Sequence, residues 1–176
     1  VTFTNTHYGY GEIIKNTNLG GTLEGWKFEI YSDEARTSLI PGSPFTTDAQ
    51  GRIKVRLLPG VYWIREVVDP DMLPEWQFDT TVRSLTVTAG NTSSVTFRNV
   101  HYGYAKIVKK TNTGKDLSGW KFNIYKDINL TTLVEGSPFV TDDNGVLQVG
   151  LVPGYYWIQE VDESDGNPLW NYDTTI

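Results

Sequence analysis

Sliding the 176-residue chain against itself by 94 positions brings residues 1–82 onto 95–176 without a gap, and 45 of those 82 positions are identical. All six tryptophans fall into register (Trp26 with Trp120, Trp63 with Trp157, Trp76 with Trp170), as do His7 and His101. Self-similarity at this period means a tandem array of like folding units. The array is out of phase with the chain. Val1–Asn5 corresponds to Val95–Asn99, Ile176 corresponds to Val82, and RSLTVTAGNTSS at 83–94 occurs once. The expected organisation is therefore a closing strand of a preceding repeat at 1–6, a complete repeat at 7–100, and a second repeat at 101–176 that lacks its closing strands. The sequence reads as a window cut from a longer series.

Within a unit the signals are those of strands. Short runs rich in Val, Ile, Trp, Tyr and Phe alternate with Gly, Asn, Asp and Pro turns such as TDAQG and LLPG, echoed as TDDNG and LVPG. The expected strands cover 11–16, 24–31, 52–57, 61–68, 84–88 and 94–99, with edge pieces near 38–46. No stretch has convincing helical periodicity. Several short strands in about ninety residues predict an all-β fold of tandem two-sheet sandwiches. Composition agrees, since 39% hydrophobic and 13% aromatic residues suffice for packed cores. A net charge of −6 argues against a nucleic-acid partner. With no cysteine and two histidines, neither disulfides nor a zinc site has material, and no cofactor motif is present. No apolar run is long enough to insert this segment into a membrane.

Alternate side chains of a strand point to opposite faces. In GEIIK, Ile13 and Lys15 share a face; in VYWIRE, Tyr62, Ile64 and Glu66 do; in VTFRN, Val95, Phe97 and Asn99 do. Each apolar row thus ends in one polar residue. The second unit repeats two of the three, as Ile107–Lys109 and Ile158–Glu160, while Asn99 finds its counterpart in Asn5. Any one such residue is ordinarily a surface residue at a strand end. Three of them in phase with core rows point to a buried set, costly unless its members satisfy one another.

The first-strand Lys15 followed by Gly25, the PGVYWIRE run ending in Glu66, and the terminal VTFRN resemble CnaB-type domains. These are the transthyretin-like (inverse immunoglobulin) repeats of adhesins and pilins on Gram-positive surfaces. The resemblance implies an isopeptide bond between Lys15 and Asn99 promoted by Glu66. In the second unit it implies Lys109 and Glu160, with an Asn from another repeat or chain, for which Asn5 is the candidate. Lys110 aligns with Asn16 and has the wrong parity. Trp26 and Trp120 depart from the pattern, because the family commonly has a small residue after that Gly. The resemblance further implies a non-enzymatic structural stalk, extracellular and wall- or surface-attached, whose partners are neighbouring repeats. A head-to-tail union of two copies through Asn5 and Lys109 is a further arrangement it allows, although the 83–94 strand would still lack a counterpart.

The chemistry is sound on general grounds. An ammonium cannot attack, so burial must lower the Lys pKa, and the same burial should keep Glu66 protonated and able to hydrogen-bond the Asn carbonyl oxygen. Contact held by the fold supplies a large effective molarity. The competing expectation is a carbohydrate- or host-ligand-binding module with exposed tryptophans as a stacking platform and DPDMLPEW and DESDGNPLW as binding loops. Calcium at TDDNG or DESDG is a weaker variant, since such clusters usually make turns. A hydrolase of the transthyretin-like type lacks a His/Arg/Ser constellation.

Overall fold

The computed structural model describes residues 1–163, 170–173 and 175–176. The chain divides into two compact units, Val1–His101 and Tyr102–Ile176. Strands make up all the regular structure among the described residues.

Eight strands form the first unit: β1 (Gly9–Thr17), β2 (Lys27–Tyr31), β3 (Phe45–Thr46), β4 (Arg52–Leu57), β5 (Gly60–Glu66), β6 (Trp76–Gln77), β7 (Arg83–Val87) and β8 (Thr92–His101). They make two four-stranded sheets, ordered β4-β1-β8-β6 and β3-β2-β5-β7. Inward rows of both sheets form one core: Ile13, Ile53, Leu57 and Phe97 from the first, Phe28, Ile30, Ile64, Leu85 and Val87 from the second. Phe28 and Phe97 meet across the sandwich with ring centroids 5.0 Å apart. The predicted strands are found with shifted ends. Strand β6 was not foreseen, because two residues carry no periodicity.

β1 and β8 are neighbours and run parallel, Lys15 facing Phe97 and Thr17 facing Asn99 in register. Parallel pairing of first and last strands brings the two polar row-ends to the same end of the sheet. The turn that fixes Lys15 is also legible. Asp48 Oδ1 accepts from the Gln50 and Arg52 N–H groups at 3.0 and 2.8 Å, an Asx-type closure of TDAQG. Gly51 has φ +74°, and a Cβ there would stand 2.6 Å from the Lys15 carbonyl oxygen. Only glycine suits that approach. On the opposite sheet, the Tyr62 hydroxyl donates to the Leu58 carbonyl at 2.9 Å, which closes the LLPG turn and explains the PG-x-Y spacing ahead of Glu66.

The second unit has β9 (Gly103–Val108), β10 (Lys121–Tyr125), β11 (Phe139–Val140), β12 (Val146–Leu151) and β13 (Trp157–Glu160). They form a β12-β9 pair and a β11-β10-β13 sheet. The same devices recur: Gly145 at φ +72° against the Lys109 carbonyl, and Tyr156 donating to Val152 at 2.7 Å. Among the described residues no strand lies along the other side of β9.

Residues 1–8, expected to begin with the closing strand of a preceding repeat at 1–6, lie outside every strand and are exposed. The Tyr8 carbonyl accepts the Gly90 N–H at 2.9 Å, just ahead of β1.

Candidate functional site

Lys15, Glu66 and Asn99 converge in the core of the first unit with relative exposures of 0%, 2% and 0%. Each stands where strand alternation puts it, one step beyond Ile13, Ile64 and Phe97 on the inward rows of β1, β5 and β8. Lys15 Nζ donates to Glu66 Oε1 at 2.6 Å, and Asn99 Nδ2 donates to the same oxygen at 2.8 Å. The other carboxyl oxygen, Oε2, is buried with no hydrogen-bond partner. A full negative charge on this carboxyl would therefore be half-solvated at best, which favours the protonated form.

Desolvation lowers the Lys15 ammonium from 10.5 to about 8, against the opposing pull of Glu66. Desolvation raises Glu66, again against the hydrogen bond and charge of Lys15. Both shifts act in one direction: they bring amine and acid toward a shared proton in place of a separated ion pair.

Trp26, the departure noted in the sequence, roofs the site. Its ring lies 4.4 Å from Lys15 Nζ and meets Trp76 and Phe78 edge-on at 5.2 and 5.6 Å. A small residue there would leave the amine open to water. Trp76 in turn packs on His101 at 4.8 Å.

One expectation about the hydrogen bonding fails. The Asn99 carbonyl oxygen does not receive a proton from Glu66. It accepts from the Asp79 main-chain N–H at 2.8 Å, while the amide nitrogen faces the acid. Asp79 was missed in the sequence. The signal available was the recurrence of Asp-Thr-Thr at 79–81 and 173–175, an Asx-turn pattern.

In the second unit Lys109 Nζ donates to Glu160 Oε1 at 2.5 Å, with side-chain exposures of 11% and 4%. Trp120 covers the amine at 3.8 Å. Among the described residues no Asn is hydrogen-bonded to this pair, and Lys109 borders a groove of about 630 Å³ that also touches Trp120, Trp170 and Asn171. Lys110 is exposed, and so is Asn5 in the first unit.

Of the tryptophans expected as a stacking platform, Trp26 and Trp120 are buried, and Trp63, Trp76, Trp157 and Trp170 are half-buried. Trp26 with Trp76, and Trp120 with Trp170, pack into the two cores, because large rings dominate the apolar area a small sandwich can bury. Trp63 and Trp157 stand on the outward rows of β5 and β13. In TDDNG, Asp142 Oδ1 accepts from the Asn144 and Val146 N–H groups of its own turn. Residues 164–169, most of the DESDGNPLW loop, lie outside the described residues.

With this geometry in hand, the SpaA prealbumin-like fold domain matches residues 9–101 and again 103–173. The chain belongs to that family. Two successive SpaA-type domains thus account for nearly all of it. Solved structures similar to the chain include the Bacillus anthracis TIE protein, at 24% identity and TM-score 0.49, covering 88% of this chain and 28% of that one. A streptococcal ancillary pilin is similar at 22% identity and TM-score 0.48, covering 90% and 55%. BcpA, the major pilin subunit of Bacillus cereus, follows at 13% and 0.43, covering 87% of each chain. The chain spans less than two thirds of the first two of these. No curated protein sequence matches it.

Proposed function

We propose that this chain is a load-bearing segment of a Gram-positive cell-surface fibre, a pilus or adhesin stalk, whose first unit welds itself shut through a Lys15–Asn99 isopeptide bond. One observation carries the reading: in a dry interior, a single oxygen of Glu66 touches both the nitrogen that would attack and the nitrogen that would leave.

The step balances without any co-reactant. Neutral Lys15 Nζ attacks Asn99 Cγ, the Cγ–Nδ2 bond breaks, and Nδ2 departs as ammonia. Glu66 delivers its proton to Nδ2 and recovers one from Nζ, so it ends as it began. The domain reacts once, on itself, and is not an enzyme. The bond closes nearly the whole unit into a loop, worth roughly 4–5 kcal/mol in the chain-entropy view. Because β1 and β8 are the first and last strands, a pull on the unit's ends would run through the covalent link and bypass the ladders. That suits an extracellular, wall- or surface-attached stalk built of neighbouring repeats.

In the second unit the same reading assigns Lys109 as nucleophile and Glu160 as acid, with the acyl donor on a strand from another repeat. Asn5, set in the same VTF-x-N pattern as Asn99, is such a donor for a unit it would close. Intact-mass measurement is the test. The wild-type chain should be lighter than its sequence by one ammonia, and Lys15→Ala, Asn99→Ala or Glu66→Ala should each restore the full mass. A wild-type chain at its sequence mass overturns the reading.

A further inference from the structure

The attack that forms the Lys15–Asn99 bond turns the Asn99 carbonyl oxygen into an oxyanion, and a buried oxyanion needs a donor already in place. Glu66 is not that donor: its Oε1 is taken up by the two nitrogens, and its Oε2 has no hydrogen-bond partner. The hydrogen bond that Asn99 Oδ1 accepts comes from the main-chain N–H of Asp79, at 2.8 Å.

That N–H is held from several sides. The Asp79 carboxylate takes the Arg83 guanidinium at 2.9 Å, the Thr81 N–H at 3.2 Å and the Arg98 N–H at 3.2 Å. Arg98 precedes Asn99 on β8, so one residue grips the strand that carries the acyl donor and aims its own N–H at the donor's oxygen. Arg83 is fixed in turn over the Phe97 ring at 4.4 Å. On the other flank Phe78 is buried edge-on against Trp26. Burial alone would push the Asp79 carboxyl up, but the bonds from Arg83, Arg98 and Thr81 outweigh it and hold the group below its usual range. It stays a charged anchor. The second unit has the matching residue in reach, since Asp173 lines the same small recess as Glu160.

Resting on the bond proposed above, we propose that the Asp79 main-chain N–H is the oxyanion donor of the cross-linking reaction, with the Asp79 carboxylate and Arg83 as its positioning groups. The division of labour is then clean. Glu66 moves protons between the two nitrogens, and Asp79 holds the oxygen.

The experiment follows bond formation by intact mass at successive times after cell-free synthesis of the full chain. Replacing the Phe78–Asp79 amide by an ester removes that N–H and keeps every side chain. It should slow ammonia loss about 100-fold or more, the usual effect of losing one oxyanion donor. Near-UV circular dichroism of the Trp26–Trp76 pair checks folding in the same samples. Should the ester chain not fold, Asp79→Ala and Asp79→Asn decide. The first, with its anchor gone, should be at least about tenfold slower by loss of a positioned donor. The second, which keeps an oxygen for the Arg98 N–H, should be faster than the first. A folded ester chain, or failing that a folded Asp79→Ala chain, that bonds at the wild-type rate overturns the inference and leaves the Lys15–Asn99 bond standing. A wild-type chain that never loses ammonia overturns both.

Discussion

The two units are near-copies, yet the first buries what the second leaves half open. In the first, β8 lies along β1 and seals the row Gly11, Ile13, Lys15, and the core gathers residues from both sheets. In the second, Ile107 on β9 is only half-buried, and the buried cluster shrinks to Trp120, Phe122 and Leu147. Lys109 and Glu160 still find each other, and the tryptophan still covers the amine. The difference teaches that two thirds of the site is assembled by local sequence and the β9–β12 and β10–β13 frames alone. The last strand does two things at once: it brings the amide, and it removes the water that would keep the amine charged.

The sharpest way to break this comparison is to cut the bond where it is proposed. Asn99→Ala should restore the full mass and destabilise the first unit by roughly 4–5 kcal/mol, lowering its calorimetric midpoint by about 20 °C. Lys109→Ala should leave that transition in place. Equal losses in the two variants would sink the claim that the units differ in kind. Glu66→Gln comes next in size. It keeps the shape but cannot relay a proton, so the chain should fold and stay at full mass. Denaturing electrophoresis after boiling sharpens the other half of the comparison. A single band is expected for residues 1–176, whereas a ladder that vanishes with Lys109→Ala would mean that Asn5 of one copy has filled the second unit of another.

Much of this site was legible because strand parity is a strict rule. Lys15, Glu66 and Asn99 each follow an apolar residue by two, and period-two alternation leaves such a residue no choice of face. The turns were legible for the same kind of reason: Gly51 and Tyr62 are demanded by local backbone chemistry. What stayed hidden depends on tertiary placement. Asp79 acts through a main-chain N–H, which every residue but proline has, so no letter in the sequence marks it. Trp26 looked like a misfit because its neighbours, Trp76 and Phe78, lie fifty residues away and form no periodic strand.

Acidity gives a smaller and more selective probe. In an Asn99→Ala chain both Lys15 and Glu66 remain free to titrate. The Lys15 value is depressed in the fold, from 10.5 to about 8. Its contribution to stability is thus present above 10.5 and lost as pH falls through about 8. Glu66 is shifted the other way, upward from 4.5. Its contribution is present below 4.5 and lost as pH rises through the folded value. Urea midpoints of Asn99→Ala should therefore fall on leaving pH 4.5 and climb again from about 8 to 10.5. In the bonded wild type Nζ is an amide nitrogen without a basic lone pair, so the upper climb should be missing. A wild-type curve that keeps it would mean that Lys15 is still an amine.

The smallest expected effect tests how β8 is fastened at its far end. Asn18 makes a two-way clasp with the His101 main chain, donating to its carbonyl at 3.1 Å and accepting its N–H at 2.6 Å. The clasp lies at the surface, so each bond trades against water and the net worth is modest. Asn18→Ala should cost about 1 kcal/mol. Its copy, Asn112, lines the groove beside Lys109 where no such strand is paired, so Asn112→Ala should change stability by less than about 0.5 kcal/mol. The pair of variants isolates what the last strand adds at a point where no covalent chemistry occurs. If both cost the same, then Asn18 matters for its own loop, and the fastening of β8 rests on the ladder with β1 and the buried cluster around Phe97.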